Sequence, residues 1–254
     1  MDLIRFEEAC KRVREGGRLI KGIGTKGEGS VHAVLKNYFE NDQESQELSV
    51  GRHIADIVGE RGIIEIQTSH FSALREKLAA FLPNTHVTVV YPVFLNKRIV
   101  SLSEDGEVLR SRISPLKGTA FEIFRELFPI AHFLKDKNLS FVIMILDCDE
   151  YRIPPAAIGK PARRHDRLSV TDRFPTKLID EISIEVPCDW EKLIPCLRND
   201  GYTTSDLSEL IHLPRKYTSV ALSVLHRGGI IKRIGKRGRS FTYGFCGEGS
   251  ADNA

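Results

Sequence analysis

Two uninterrupted apolar runs, Val87-Thr-Val-Val-Tyr91 and Phe141-Val-Ile-Met-Ile-Leu146, constrain this chain more than any other feature. Each has strand length, and strands of this kind are buried on both faces, so helices must cover both sides of their sheet. The helices are legible. Phe71, Leu74, Leu78 and Phe81 recur at helical spacing ahead of the first run and stop at Pro83. Phe121, Phe124, Leu127, Phe128, Ala131 and Leu134 do so ahead of the second, with a bend expected at Pro129. Upstream, Ile54, Ile57 and Val58 lead to a turn at Gly59-Glu-Arg-Gly62, and Ile63-Ile-Glu-Ile66 returns from it as in a hairpin. A polar hairpin is expected around Asp105-Gly106. The order strands, helix, strand, helix, strand describes an α/β layer.

Two helices precede that layer. Leu3, Phe6, Cys10 and Val13 mark the first, which stops at Gly16-Gly17; Val31, Val34, Leu35 and Tyr38-Phe39 mark the second. Between them, Gly22-Ile-Gly24-Thr-Lys-Gly27 matches a dinucleotide-binding pattern. The short, polar Arg18-Leu-Ile-Lys21 cannot serve as the buried strand that such a turn needs, so the match is read as chance. No apolar stretch approaches the ~18 residues of a membrane span. The mixed-charge N-terminus lacks an apolar signal core, and five cysteines without a Cys-x-x-Cys pair point to reduced thiols. A cytoplasmic protein is the expectation.

Charge is uneven. Residues 1–150 carry 20 Lys/Arg against 22 Asp/Glu, whereas 203–245 carry 8 against 2. A basic C-terminal part suggests a polyanionic partner, with a solvated basic face as the alternative. The stretch Arg152–Lys177 holds four prolines and Lys160, Arg163, Arg164, Arg167 and Arg173; it is expected to be a connection that contacts phosphate or a merely basic linker. The division that follows is 1–150, a connection over 151–187, a C-terminal domain over 188–246, and a flexible tail over 247–254. In the C-terminal part, Thr203-Thr-Ser-Asp206 offers caps for a short helix. Pro214 opens a longer helix closed by Gly228-Gly229, and a hairpin with a Gly235-Lys-Arg-Gly238 tip ends the pattern.

The chemistry-bearing residues are carboxylates. If the hairpin forms, Asp56 and Glu65 sit side by side, and two hard oxygen ligands with the Ile66 carbonyl between them suit Mg²⁺. Glu65 and Gln67 share one strand face. An edge strand showing its wet face is the plainer alternative. Glu28, His32 and Lys36 line one stripe of the second helix, opposite Val31, Val34 and Leu35, and could add a third carboxylate and a proton carrier. Two carboxylates so close repel, so neutralising either is expected to stabilise the metal-free protein.

Taken together, Glu28, Asp56 and Glu65-Ile-Gln67 followed by a helix resemble the PD-(D/E)XK nuclease superfamily over about residues 22–95. The resemblance implies a restriction-endonuclease-like mixed sheet flanked by helices, with Glu28, Asp56, Glu65 and Gln67 catalytic and Mg²⁺ or Mn²⁺ held by Asp56, Glu65 and Ile66. The superfamily's lysine is replaced by Gln67, which cannot carry charge or take a proton. Lys36, Arg75 or Lys77 are the candidates to supply it. The C-terminal part resembles a winged helix-turn-helix, which implies contacts to double-stranded DNA through Arg215, Lys216 and Tyr217 on a recognition helix. Lys236, Arg237 and Arg239 on the wing, and Arg163 and Arg164 in the connection, would meet phosphate. The expectation is a Mg²⁺-dependent DNA endonuclease, with a non-catalytic DNA-binding regulator as the alternative; a homodimer is compatible with both.

Overall fold

The computed structural model describes residues 1–16, 29–154, 168–194 and 201–245. Its centre is a seven-stranded mixed sheet. Strands β1 (Gln46–Val50), β2 (His53–Gly59) and β3 (Gly62–Ile66) form an antiparallel meander. Strand β4 (Val87–Leu102) runs parallel to β3, and helix α3 (Leu74–Phe81) makes the crossover that a parallel pair requires. Strand β6 (Leu139–Ile153) lies parallel on the other side of β4. Strand β7 (Ser169–Ile184) closes the order β1-β2-β3-β4-β6-β7 antiparallel to β6. The far half of β4 pairs with the exposed β5 (Val108–Ile113).

Alternation along the central strands sorts side chains between two cores. On one face, α1 (Leu3–Glu15) and α2 (Ser30–Phe39) place Phe6, Cys10, Val34 and Leu35 against Val90, Met144, Leu146, Phe174 and Leu178. On the other, Leu74 and Leu78 of α3 and Phe124 of α4 (Ile123–Leu127) pack on Ile63, Val87, Val89, Phe141 and Ile143. The α/β layer and the 59–62 hairpin turn are as expected.

Three expectations change. The helix expected over 121–134 is α4 between two 3₁₀ segments, Ala120–Glu122 and Phe128–Phe133. Pro129 has no N–H to continue the α ladder, so the chain tightens instead of bending. Part of the stretch 151–187, expected to be a connection, is instead β7, with Arg173 and Pro175 inside the strand. Pro175 is tolerated because β7 is an edge strand and the register shifts beside its partner Cys148. Lastly, the C-terminal part is not a separate body.

That part contains α5 (Thr204–Leu210), a short turn, α6 (Arg215–Arg227), and the hairpin of β8 (Ile231–Arg237) and β9 (Ser240–Phe245), with Tyr202 bridged to Tyr243. Thr203 caps α5 in a capping box with Asp206, as its sequence suggested. Leu207, Leu222, Val224, Leu225 and Ile230 belong to the same apolar cluster as Phe124, Leu127 and Trp190. Trp190 is wedged between Phe124 and Phe141, ring centroids 5.5 and 5.6 Å away. Gly228 ends α6 so close to the Ala131 carbonyl that a side chain there would lie 2.8 Å from its oxygen. The boundary expected near 188 therefore crosses a continuous core. Among the described residues no helix is long and apolar enough to cross a membrane. The glycine pattern at 22–27 and the tail at 247–254 lie outside the described residues.

Candidate functional site

The site begins where a ladder ends. The pairing of β2 with β3 runs from Gly59–Gly62 through Ile57–Ile64, and the next positions along, Asp56 and Glu65, stand where the strands part. Beyond that point β2 continues on β1 while β3 continues on β4. Asp56 bends back over the fork, and its Oδ2 accepts the Ile66 N–H at 2.7 Å. The same oxygen lies 3.1 Å from His32 Nε2 on α2. A carboxylate only accepts, so Nε2 carries the proton. Helix α2 is in turn fixed from β7, because Asp172 accepts from both the backbone N–H and the hydroxyl of Ser30.

Glu65 stands beside Asp56, reaches toward α3, and is only 1% exposed. Its Oε2 meets Lys77 Nζ at 2.6 Å, while its Oε1 is buried with no hydrogen-bond partner among the described residues. An unsatisfied buried carboxylate oxygen is costly. The two acids therefore titrate apart. Burial pushes Glu65 up and the charge of Asp56 pushes it further; Lys77 offsets part of this, leaving it at about 7. Burial pushes Asp56 up as well, but His32, the Ile66 N–H and Lys77 outweigh it and hold its pKa below the ordinary value.

Of the predicted residues, Asp56, Glu65 and Ile66 are brought together, Ile66 through its N–H. Gln67 is turned away, its side-chain amide donating to the Ser69 carbonyl. Lys36 is buried and pairs with Glu47 at 2.6 Å, which leaves Lys77 as the cation beside Glu65. Glu28 lies outside the described residues, as do Arg163 and Arg164. Among the described residues no group of three or more His, Cys, Asp or Glu could hold a metal ion. The donor chemistry nevertheless fits a hard divalent cation at Asp56 and Glu65, with one carboxylate oxygen buried and unpartnered.

A cleft of about 500 Å³ adjoins the fork, walled by His32, Thr68, Phe94, Asp172 and Arg173 among others. Of this wall, sequence reasoning named His32 as a candidate proton carrier and Arg173 as part of a basic connection, and missed the rest.

The basic C-terminal side chains are arranged differently. Arg215 and Lys216 are exposed at the start of α6, and Tyr217 is half-buried against the core with Lys216 Nζ 5.0 Å above its ring. On the hairpin, Arg233 and Lys236 lie 4.1 and 5.0 Å over Phe241, and Arg239 is exposed. Arg237 is tied to Asp206 at 2.7 Å, so it links hairpin to α5.

Residues 29–185 match the family described as Domain of unknown function (DUF8091). The chain belongs to this family. The matched segment holds the fork, the cleft and the whole sheet, and it ends just past β7, in keeping with that strand as part of the layer. A relative from Treponema pallidum (strain Nichols), described as an uncharacterized protein, is 32% identical over 233 residues, covering 87% of this chain and 86% of the relative. No solved structure matches the chain significantly.

Proposed function

We propose that this DUF8091 protein is a divalent-metal-dependent phosphodiesterase acting on DNA, with its C-terminal helices and hairpin serving as a winged helix that holds duplex. One observation carries the reading: Asp56 and Glu65 converge at a strand fork, with a Glu65 oxygen buried and unpartnered. The order of a helix, three antiparallel strands, a helix and a strand parallel to the third supports the PD-(D/E)XK resemblance. Asp56 and Glu65 would hold Mg²⁺ or Mn²⁺, which lowers the pKa of a bound water and offsets charge on the phosphate. His32 fixes Asp56 in its rotamer, and Lys77 stands in for the cation that Gln67 cannot supply.

The bridge from Tyr202 to Tyr243, the two helices joined by a turn and the basic hairpin support the winged-helix part. Arg215 and Lys216 are then placed for base edges, and Arg233, Lys236 and Arg239 for phosphate. The second reading, a DNA-binding regulator without catalysis, draws on Gln67 turning to Ser69 and Lys77 engaging Glu65.

Incubation with supercoiled plasmid and Mg²⁺ or Mn²⁺ separates the two. Cleavage that Asp56→Asn lowers by on the order of 10³-fold or more is expected, since such a site acts through charge placed on the metal. Retained DNA binding without cleavage under either metal would favour the regulator.

A further inference from the structure

One residue of the cleft wall, Arg173, belongs to a buried charge cluster centred on β6. Glu150 on β6 is 2% exposed, yet it stays ionised below its ordinary pKa: burial opposes this, and bonds from Arg173 and Arg152 outweigh burial. Arg173 Nε lies 2.8 Å from one Glu150 oxygen, and Arg152 Nε lies 2.8 Å from the other. A buried ion cluster of this kind is a poor stabiliser compared with apolar packing. What it does is aim. Arg173 keeps a side chain 42% exposed on the cleft wall, with its Nη groups unbonded among the described residues and its guanidinium 5.5 Å from the Phe94 ring centroid.

The acids in the wall are already engaged. Asp172 caps α2 through Ser30, and Glu47 pairs with Lys36. Beside them the wall holds a planar cation and an aromatic ring, Arg173 and Phe94, together with His32, bonded to Asp56. We infer that this cleft is a subsite for one unpaired nucleotide of a DNA strand, its base stacked on Arg173 and Phe94 and its phosphate directed to the fork. Base stacking on aromatic and guanidinium planes needs a base whose face is free, which a paired base in a duplex does not offer. A cleft of about 500 Å³ takes one small ligand or one nucleotide and excludes a duplex. The inference rests on the phosphodiesterase reading for DNA as the ligand and for the direction of the phosphate.

The test is fluorescence anisotropy with the full chain in EDTA, so that cleavage plays no part. Two labelled DNA probes of equal length are compared at one salt concentration: a complete duplex, and the same duplex with a short single-stranded gap. Wild-type protein should bind the gapped probe about tenfold more tightly, in line with stacking of one base. Both Arg173→Gln and Arg173→Lys should bring that ratio close to one. The lysine variant keeps a charge for Glu150 but has no planar face, so it guards against simple unfolding, which a melting curve for each variant also reports. Equal wild-type affinity for the two probes would overturn the inference, as would full retention of the preference in Arg173→Lys. A preference without metal-dependent cleavage of plasmid would leave the subsite standing and the nuclease reading fallen. Cleavage by a protein with no preference would do the reverse.

Discussion

The fork and the C-terminal hairpin both concentrate charge, but they treat it in opposite ways. At the fork, Asp56, Glu65, His32 and Lys77 are drawn out of water, and the two acids are pushed to opposite sides of their ordinary pKa. On the hairpin, Arg233, Lys236 and Arg239 stand in solvent. Few desolvated charges suit chemistry, because each interaction is strong and geometrically fixed. Many solvated charges suit the holding of a polyanion, because each is weak, screened and additive. The comparison also has a seam: both regions lean on the one apolar cluster that joins the sheet to α6.

Breaking that seam should have the largest effect on stability. Leu225 is fully buried in the shared cluster, so Leu225→Ala is expected to destabilise the chain by about 2–5 kcal/mol. Urea unfolding followed by near- and far-ultraviolet dichroism should show one coincident transition for both regions. For the same reason a fragment of 185–254 should be unstable without Phe124, Leu127 and Phe141. Two resolved transitions in the intact chain would mean that the regions are independent after all.

The second prediction sharpens the fork. Neutralising either acid was expected to relieve repulsion, but the geometry separates them. Glu65 keeps its proton up to about 7 in the folded state, whereas the unfolded chain releases it near 4.5. Stability therefore falls as pH rises across that window, and the loss persists above it. Glu65→Gln should be more stable than the parent by on the order of 3 kcal/mol at about pH 8, with no gain at about pH 4. Asp56 is depressed, so it contributes stability that is present above its ordinary pKa and lost as pH falls through its folded value. Asp56→Asn should accordingly be the less stable variant at about pH 8. Melting temperatures across pH distinguish the two, and identical profiles would show that the acids do not interact.

The smallest effects belong to the hairpin. Replacing Arg233, Lys236 and Arg239 by Ala should flatten the dependence of DNA affinity on salt by up to ~0.9 in log–log slope per lost phosphate contact. Arg237→Ala should instead loosen the hairpin from Asp206 by no more than ~1 kcal/mol, as exposed ion pairs do. A salt slope unchanged by the triple substitution would point to a protein-docking face.

Sequence alone determined the local pieces. Apolar periodicity set the alternation of buried strands and covering helices, Gly59 and Gly62 set the hairpin, and the Thr203 box and Gly228-Gly229 bounded the C-terminal helices. It also named Asp56 and Glu65 as neighbours, because a hairpin fixes its register from the turn outward. Tertiary structure decided whatever depends on partners distant in the chain. Strand β7 was illegible because its proline and polar residues fit only an edge position interrupted by its own bulges. Which lysine meets Glu65 depended on the packing of α3 against the sheet, which brings Lys77 to it. Arg173 became a cleft residue through Glu150, 23 positions away. The shared core, the splitting of two like carboxylates and the aim of Arg173 all come from burial against distant side chains, which a one-dimensional pattern of residue types does not record.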